Sequence, residues 1–372
     1  MKFTINKTDI VDVLSKIQGL TGRKSNLAIT ENVLIKSENS GISLTATDLE
    51  TGFEGFYPSE VEKEGALAVN AKKLYEIVRE FPDETILLNE IENRWIEIGT
   101  NKVLYHIVGM NPDDFPDTPH IAEVEFFDMD SIGLKKMIEK SIIISGSSDE
   151  KRAHINGVFF ERIHDESTVK ARMVSTDGSR LSAVDYNFKN KNDLSKGDDV
   201  LIPKKGLNEV VKFLNFEGTV QIGIKDSNFI VKKKKETIII RLLEGDFPKY
   251  RSIIEKTNSN VLKLNKFKFG KMLKRMSILS SENYKGAVFT FDNNTLVITA
   301  TNPDIGESKE DMEIDFSREK IEAAFNPKFF METLNVIEDD YVNLYLTDGE
   351  KPCLIEAETD KDFISVIMPM RI

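Results

Sequence analysis

The chain has 372 residues, 40% hydrophobic and 30% charged, enough for a sizeable core but more than one ordinary domain needs, so two or three domains are expected. Its 62 acidic and 50 basic residues leave a net charge of -12, which excludes a surface coated in basic groups but not basic charge gathered in one place. One cysteine, Cys353, excludes an intramolecular disulfide and a thiolate-rich metal site; with no signal-like leader and no run of about 20 apolar residues, a soluble cytoplasmic protein with no membrane contact is expected.

Phe3 and Ile5 alternate as a short strand, and Ile10, Val13, Leu14 and Ile17 then recur at helical spacing, which predicts a helix over 8–24. A turn at Asn39-Ser40-Gly41 leads into a strand ending Thr45-Ala46-Thr47-Asp48. A second strand enters a lysine-led helix over 71–80, a strand follows at 85–90, and Asp114-Phe115-Pro116 closes the unit.

The order then restarts. Val124 and Phe126 precede Leu134, Met137 and Ile138, predicting a helix over 131–140; Val174-Ser175-Thr176-Asp177 ends a strand; Pro203-Lys204 opens a helix over 203–213; and Asp246-Phe247-Pro248 closes the second copy. In the third, Val261, Leu262 and Leu264 precede Phe269, Met272, Leu273 and Met276 in a helix over 266–276. Thr299-Ala300-Thr301-Asn302 ends a strand, Pro327-Lys328 opens a helix over 327–337, and the chain ends at Met368-Pro369-Met370-Arg371-Ile372. Proline suits a first helical turn, where its missing N–H has no partner to lose. Three copies of two strand–helix–strand units predict an α+β protein of three similar domains, 1–122, 123–254 and 255–372, each with two helices on antiparallel sheets. Without a long linker, the domains are expected to sit rigidly together.

Over those six spans the helices carry net charges of +1, +1, +2, +2, +5 and 0, so the remainder of a chain at -12 carries -23. The helices are thus a basic element in an acidic protein. On the fifth, Lys268, Lys271, Lys274 and Arg275 lie off the apolar stripe and are available to a partner.

Several segments together carry a specific likeness: Thr176-Asp177-Gly178 with Arg180-Leu181, Ile202-Pro203-Lys204-Lys205-Gly206, Gly245-Asp246-Phe247-Pro248, Phe325-Asn326-Pro327-Lys328 and Met368-Pro369-Met370-Arg371. On these the chain resembles, over its full length, the bacterial DNA polymerase III beta subunit family of sliding clamps. The resemblance implies the DNA clamp fold, two subunits joined head to tail as a ring, helices lining the hole and sheets outside. It implies a processivity factor that encircles double-stranded DNA without reading sequence and tethers the DNA polymerase III catalytic subunit, the clamp loader and other proteins bearing a clamp-binding motif. Phosphate contacts fix position and carry no sequence information, and their strength falls with salt.

By the same resemblance, Arg23, Lys24, Arg152, Lys204 and Lys205 are candidate DNA contacts, beside Lys271, Lys274 and Arg275 on the fifth helix. The implied partner-peptide pocket comprises Ile155, Thr176, Gly178, Ser179, Arg180, Leu181, Pro248, Ile253, Pro352, Val366, Ile367, Met368, Pro369, Met370 and Arg371. Ser179 stands where the family commonly has histidine, and Ser252 where it commonly has arginine, which alters the polar rim. Pro369 lacks a ladder donor, so the chain is expected to leave its sheet there and set Met370 beside Gly178 and Leu181. The implied dimer contact uses Tyr105 and Ile107 from one subunit and Ile278 and Leu279 from the other.

Catalysis is not expected, nor is any cofactor or metal. His106, His120, His154 and His164 lack metal-ligand spacing and no phosphate-binding glycine loop occurs. Asp113-Asp114 and Glu338-Asp339-Asp340 read as turn residues. A carboxylate-dependent hydrolase and a repeat scaffold that binds proteins without DNA are the alternatives.

Overall fold

The computed structural model describes every residue except 23–27, 100–101, 118–122, 145–151, 166–167, 191–192, 195, 215–216, 257–259, 282–284 and 372. By proximity of Cα atoms the chain divides into two units: residues 1–135 with 202–242, and 136–201 with 243–372.

Among the described residues the helices are α1 Lys7–Thr21, α2 Ala71–Glu80, α3 Ser131–Ser141, α4 Ala153–Asn156, α5 Lys204–Phe213, α6 Lys266–Met276 and α7 Pro327–Asn335. Six coincide with the predicted spans; the single turn α4 is too short to show a period. The same device starts four of them. Asn6, Asn70 and Asn265 each close a strand and Asn326 directly follows one, and their side chains accept from a backbone N–H of the first helical turn. Several ends differ from expectation. α1 ends at Thr21, with Gly22 as a cap that still donates to the Gln18 carbonyl; α7 ends at Asn335, where the Val336 N–H tightens back onto the Thr333 carbonyl; and Pro203 is the cap before α5, not a first-turn residue. The observed helices still total +10.

The first unit holds a five-stranded sheet in the order Glu60–Lys63, Lys2–Asn6, Thr85–Glu90, Trp95–Gly99, Leu104–Val108. It also holds an eight-stranded sheet running from Phe126–Asp130 to Gly65–Asn70. Half of the latter comes from the first repeat and half from the second, joined where Thr51–Pro58 pairs with Glu236–Arg241, Phe53 opposite Ile238. α1 buries Ile10, Val13, Leu14 and Ile17, all at 0% exposure, the core-facing half of an amphipathic helix.

The second unit repeats this plan. Its eight-stranded sheet joins second and third repeats where Arg180–Asn187 pairs with Phe363–Ile367, Ser182 opposite Ser365. A four-stranded sheet follows in the order Gly306–Glu313, Thr295–Asn302, Ala287–Asp292, Ile321–Phe325. α6 and α7 meet through Phe269 and Phe330, edge to face at 5.8 Å. All the strand ladders assigned among the described residues are antiparallel, as hairpins packed on helices require.

Candidate functional site

In the second unit, the turn Thr176–Arg180 stands at the mouth of the ladder between repeats. The Thr176 hydroxyl donates to the Arg180 carbonyl (2.7 Å) and accepts from the Gly178 N–H (3.1 Å). Asp177 accepts from the N–H groups of Ser179 and Arg180 at 3.0 and 3.1 Å. The turn drives Gly178 to φ 88°, a conformation side chains rarely adopt; a Cβ there would meet nothing within 4 Å, so backbone shape and not space calls for glycine. Leu181 follows, opposite Val366 in the ladder.

Leu181 and Val366 pack with Val174, Ala183, Tyr250 and Leu354, and Phe247 and Phe159 stack at 4.9 Å beside them. Above this apolar floor lies a hollow of about 180 Å³, lined by His154, Thr176, Gly178, Arg180, Leu181, Phe247, Pro248, Lys249, Tyr250, Ile253, Val366 and Met368. Its charged lining is basic. Arg180 itself is only 6% exposed: its guanidinium bonds Asp177 (3.0 Å) and Glu332 and lies 4.2 Å over the Phe329 ring, so it fastens the turn to α7. The Tyr250 hydroxyl donates to the buried Glu161, which also accepts from Arg251 at 2.8 Å; burial, then the Glu161 bond, push the phenol up to about 12.

Eight of the fifteen expected pocket residues therefore line one hollow: Thr176, Gly178, Arg180, Leu181, Pro248, Ile253, Val366 and Met368. Ile155 and Ile367 are buried, Pro352 is half-buried, and Ser179 is exposed with its hydroxyl on Asp177. The tail differs from expectation. The strand ends at Ile367, and it is Met368, its N–H on the Ser179 carbonyl at 2.9 Å, that lies beside Gly178 and Leu181. Met370 instead donates to the Ala324 carbonyl at 2.7 Å, which draws it and its neighbours Pro369 and Arg371 off the lining. His154, Phe247, Lys249 and Tyr250 were not foreseen; the aromatic pair flanking Pro248-Lys249 was the available signal. Ser252 is exposed next to Ile253.

On α6, Phe269, Met272, Leu273 and Met276 are buried while Lys268, Lys271, Lys274 and Arg275 are exposed, as the periodicity predicts. Arg275 is bridged to Glu310 by Nε at 2.8 Å, and Lys271 Nζ lies 4.3 Å over Phe267. In the first unit Lys204 is buried at 8% exposure, and Lys205 is held by Asp48 (2.6 Å) and Glu50 (2.8 Å). Arg152 is exposed; Arg23 and Lys24 lie outside the described residues. Asp339 accepts from the Thr359 N–H and hydroxyl, a tie to a segment twenty residues further on and not a bond within its own turn.

Two of the sheet edges carry or adjoin the expected dimer residues. Leu104–Val108 ends the five-stranded sheet with Leu104, Tyr105 and Val108 exposed and Ile107 half-buried, and Gly306–Glu313 ends the four-stranded sheet. Just after α6, Ile278 is 72% exposed and Leu279 half-buried.

Family models for the DNA polymerase III beta subunit match in succession: the N-terminal domain over residues 1–119, the central domain over 128–249 and the C-terminal domain over 251–371. The chain is 28% identical over 373 residues to a beta sliding clamp of Chlamydia pneumoniae, covering 100% of this chain and 99% of that one. It is 29% identical over 378 residues to that of Vibrio cholerae, covering 100% of both. Its fold matches the sliding clamp of Bartonella birtlesii, solved bound to griselimycin, with TM-score 0.92 and 27% identity over 100% of both chains. A putative DNA polymerase III beta subunit from Eubacterium rectale matches with TM-score 0.90 and 27% identity, again over 100% of both. Three successive domain models of one protein, together with full-length likeness in sequence and fold, establish that this chain belongs to the DNA polymerase III beta subunit family of sliding clamps, non-catalytic processivity factors of DNA replication.

Proposed function

We propose that two copies of this chain close head to tail around double-stranded DNA, slide on it, and tether the replicative polymerase, the clamp loader and other partners through the hollow over Leu181 and Val366. That hollow carries the tethering. It is concave and apolar-floored, and the Thr176 hydroxyl and Arg180 guanidinium are already bonded, so an extended peptide's apolar side chains would displace water there at little polar cost. The domain limits at residues 122 and 254 remain part of this reading: the first falls between the family matches 1–119 and 128–249, and the second lies just inside the match 251–371.

The dimer reading follows from the sheets. Each eight-stranded sheet joins two repeats, whereas the five-stranded sheet lies within the first repeat and ends in Glu60–Lys63 and Leu104–Val108, and the four-stranded sheet lies within the third and ends in Ile321–Phe325 and Gly306–Glu313; Leu104–Val108 and Gly306–Glu313 are the pair beside the expected contact residues. An unpaired edge is a template for another strand, so pairing these two between copies would extend the same plan across a subunit boundary. Tyr105, Ile107, Ile278 and Leu279 supply apolar contact there. Lys271 and Lys274 of α6 are the best-supported DNA contacts, with Arg275 and Arg152 secondary; Arg23 and Lys24 rest on the resemblance alone. Lys204 and Lys205 are weaker candidates, the one buried and the other shared between two carboxylates. Among the described residues no helix is long and apolar enough to cross a membrane, and action on DNA suits the cytoplasm of a bacterium.

Encirclement has a direct test. Protein loaded onto nicked circular DNA should remain bound at moderate salt and leave once the circle is cut, because phosphate contacts alone are weak there. Equal loss from both forms would remove the ring.

A further inference from the structure

The turn at the mouth of the partner hollow is built a second time in the first unit. Thr47 Oγ1 donates to the Thr51 carbonyl (3.1 Å) and accepts from the Leu49 N–H (3.0 Å), and Asp48 accepts from the N–H groups of Glu50 and Thr51 at 3.1 and 2.8 Å. Every one of these bonds has its counterpart in Thr176–Arg180. The ladder repeats as well: Gly52 faces Ile239 as Leu181 faces Val366, which brings Arg241 to the station of Met368. Pro116-Asp117 likewise stands where Pro248-Lys249 does, and the result is a second hollow, of about 410 Å³.

Its lining is changed in a consistent direction. Gly52 replaces the leucine of the apolar floor, Asp117 replaces a lysine, Glu50 replaces a serine, and Asp226 joins them from a neighbouring hairpin. Against these carboxylates stand Arg241, exposed at the rim, and Lys205, which bonds Glu50 at 2.8 Å. Leu49 occupies the place of Gly178 at φ 76°, a left-handed conformation that leucine rarely adopts, and it is 50% exposed at the edge of the hollow. The first hollow is apolar with basic charges around it; the second keeps the backbone and reverses the charge.

We infer that this second hollow is a peptide-binding cleft of opposite preference, taking an extended segment in which a lysine or arginine adjoins an apolar side chain. The cation sits among Glu50, Asp117 and Asp226, and the apolar group lies against Leu49 and Ile239. The inference rests on reading the Leu181–Val366 hollow as a peptide site, because the second cleft repeats its backbone. One protein would then hold an apolar and a basic segment at the same time.

A fluorescein-labelled peptide of alternating lysine and leucine, titrated into the full chain at near-physiological salt and followed by anisotropy, tests it. Asp117→Lys should weaken binding by about tenfold or more, and Arg241→Ala, which removes a repelling cation, should tighten it a few-fold, about 1 kcal/mol being a factor of five. Glu319→Lys makes the same charge change at an exposed site elsewhere and should have less than about a twofold effect. No binding to the unaltered chain, or equal losses in Asp117→Lys and Glu319→Lys, would overturn the inference. So would binding lost on deleting Met368–Arg371 but kept in Asp117→Lys, since the peptide would then be in the first hollow. An uncharged leucine-rich peptide checks the first hollow separately: if it fails to bind while the basic peptide binds through Asp117, the tethering reading falls and this one stands.

Discussion

Arg180 is gripped from three sides, by Asp177, by Glu332 of α7 and by the face of Phe329. Its sequence context marks it as a pocket residue, yet its main work is to join the turn to the third repeat. Arg180→Ala should therefore lower unfolding stability by about 3 kcal/mol, read from a denaturant midpoint, because it removes the bonds to Asp177 and Glu332 and the contact with Phe329 and opens a gap, while Glu332 keeps only the more distant Lys328 at 3.8 Å; a loss below about 1 kcal/mol would show the grip to be weak. Nearby, burial acts to raise the Asp185 carboxyl, but bonds from Arg172 (2.5 Å) and Lys170 (2.7 Å) outweigh it and hold the group below its usual value. A depressed carboxylate stabilises the fold above its unfolded pKa of about 4, and that stabilisation fades as pH falls through the folded value. Asp185→Asn should accordingly lower the melting temperature at pH 7, with the gap to the unaltered protein narrowing below about pH 4. A gap independent of pH would assign the effect to packing. Gly178 was named as a site residue through the family resemblance alone, and its positive φ was not visible in the sequence; that Met368 and not Met370 lies beside Gly178 and Leu181 could not be chosen from sequence either, since Met370 is bonded to the Ala324 carbonyl on a distant strand.

At the scale of elements, the six longer helices were legible from their 3.6-residue period, and their starts could have been sharpened by Asn6, Asn70, Asn265 and Asn326, a capping signal that periodicity ignores. The pairing of Arg180–Asn187 with Phe363–Ile367 was not legible, because alternation tells which face of a strand is buried and never which strand lies next to it. The exposed apolar pair following α6 makes an element-scale prediction. Replacing Ile278 and Leu279 together with aspartate should give folded monomers in sedimentation, since a charge buried without a partner at an interface costs several kcal/mol. Ile278 is already 72% exposed in the single chain, so its replacement should leave the fold intact. A double variant that stays dimeric would move the interface elsewhere.

For the molecule as a whole, the repeat and the charge separation were both visible before any contact was known, and observed helices at +10 in a chain of -12 keep the contrast. The polar cleft of the first unit was hidden: Thr47-Asp48 and Asp114-Phe115-Pro116 were visible as repeats of Thr176-Asp177 and Asp246-Phe247-Pro248, but the cleft is assembled from four separate segments that the sequence does not place together. The tail connects scales. Deleting Met368–Arg371 removes part of the partner hollow together with two backbone bonds, to Ser179 and Ala324. It should abolish binding of a polymerase-derived peptide by calorimetry while lowering stability by only about 1–3 kcal/mol and sparing the dimer. Unchanged peptide affinity, or loss of the dimer, would reassign the segment.

The ladders that join successive repeats also set an order on synthesis. Ser182 meets Ser175 early but finds its other ladder partner only in Ser365, so while a ribosome works through the third repeat, the strand from Arg180 to Asn187 waits with one row of N–H and C=O groups unpaired. The corresponding strand Thr51–Pro58 waits in the same way, and for about as long a stretch of chain, until Glu236–Arg241 emerges. The nascent chain thus exposes a sheet edge through most of its translation, first in one unit and then in the other. Slowing elongation within the third repeat should increase misassembly, or dependence on holding chaperones, more than an equal delay before Thr51 is made.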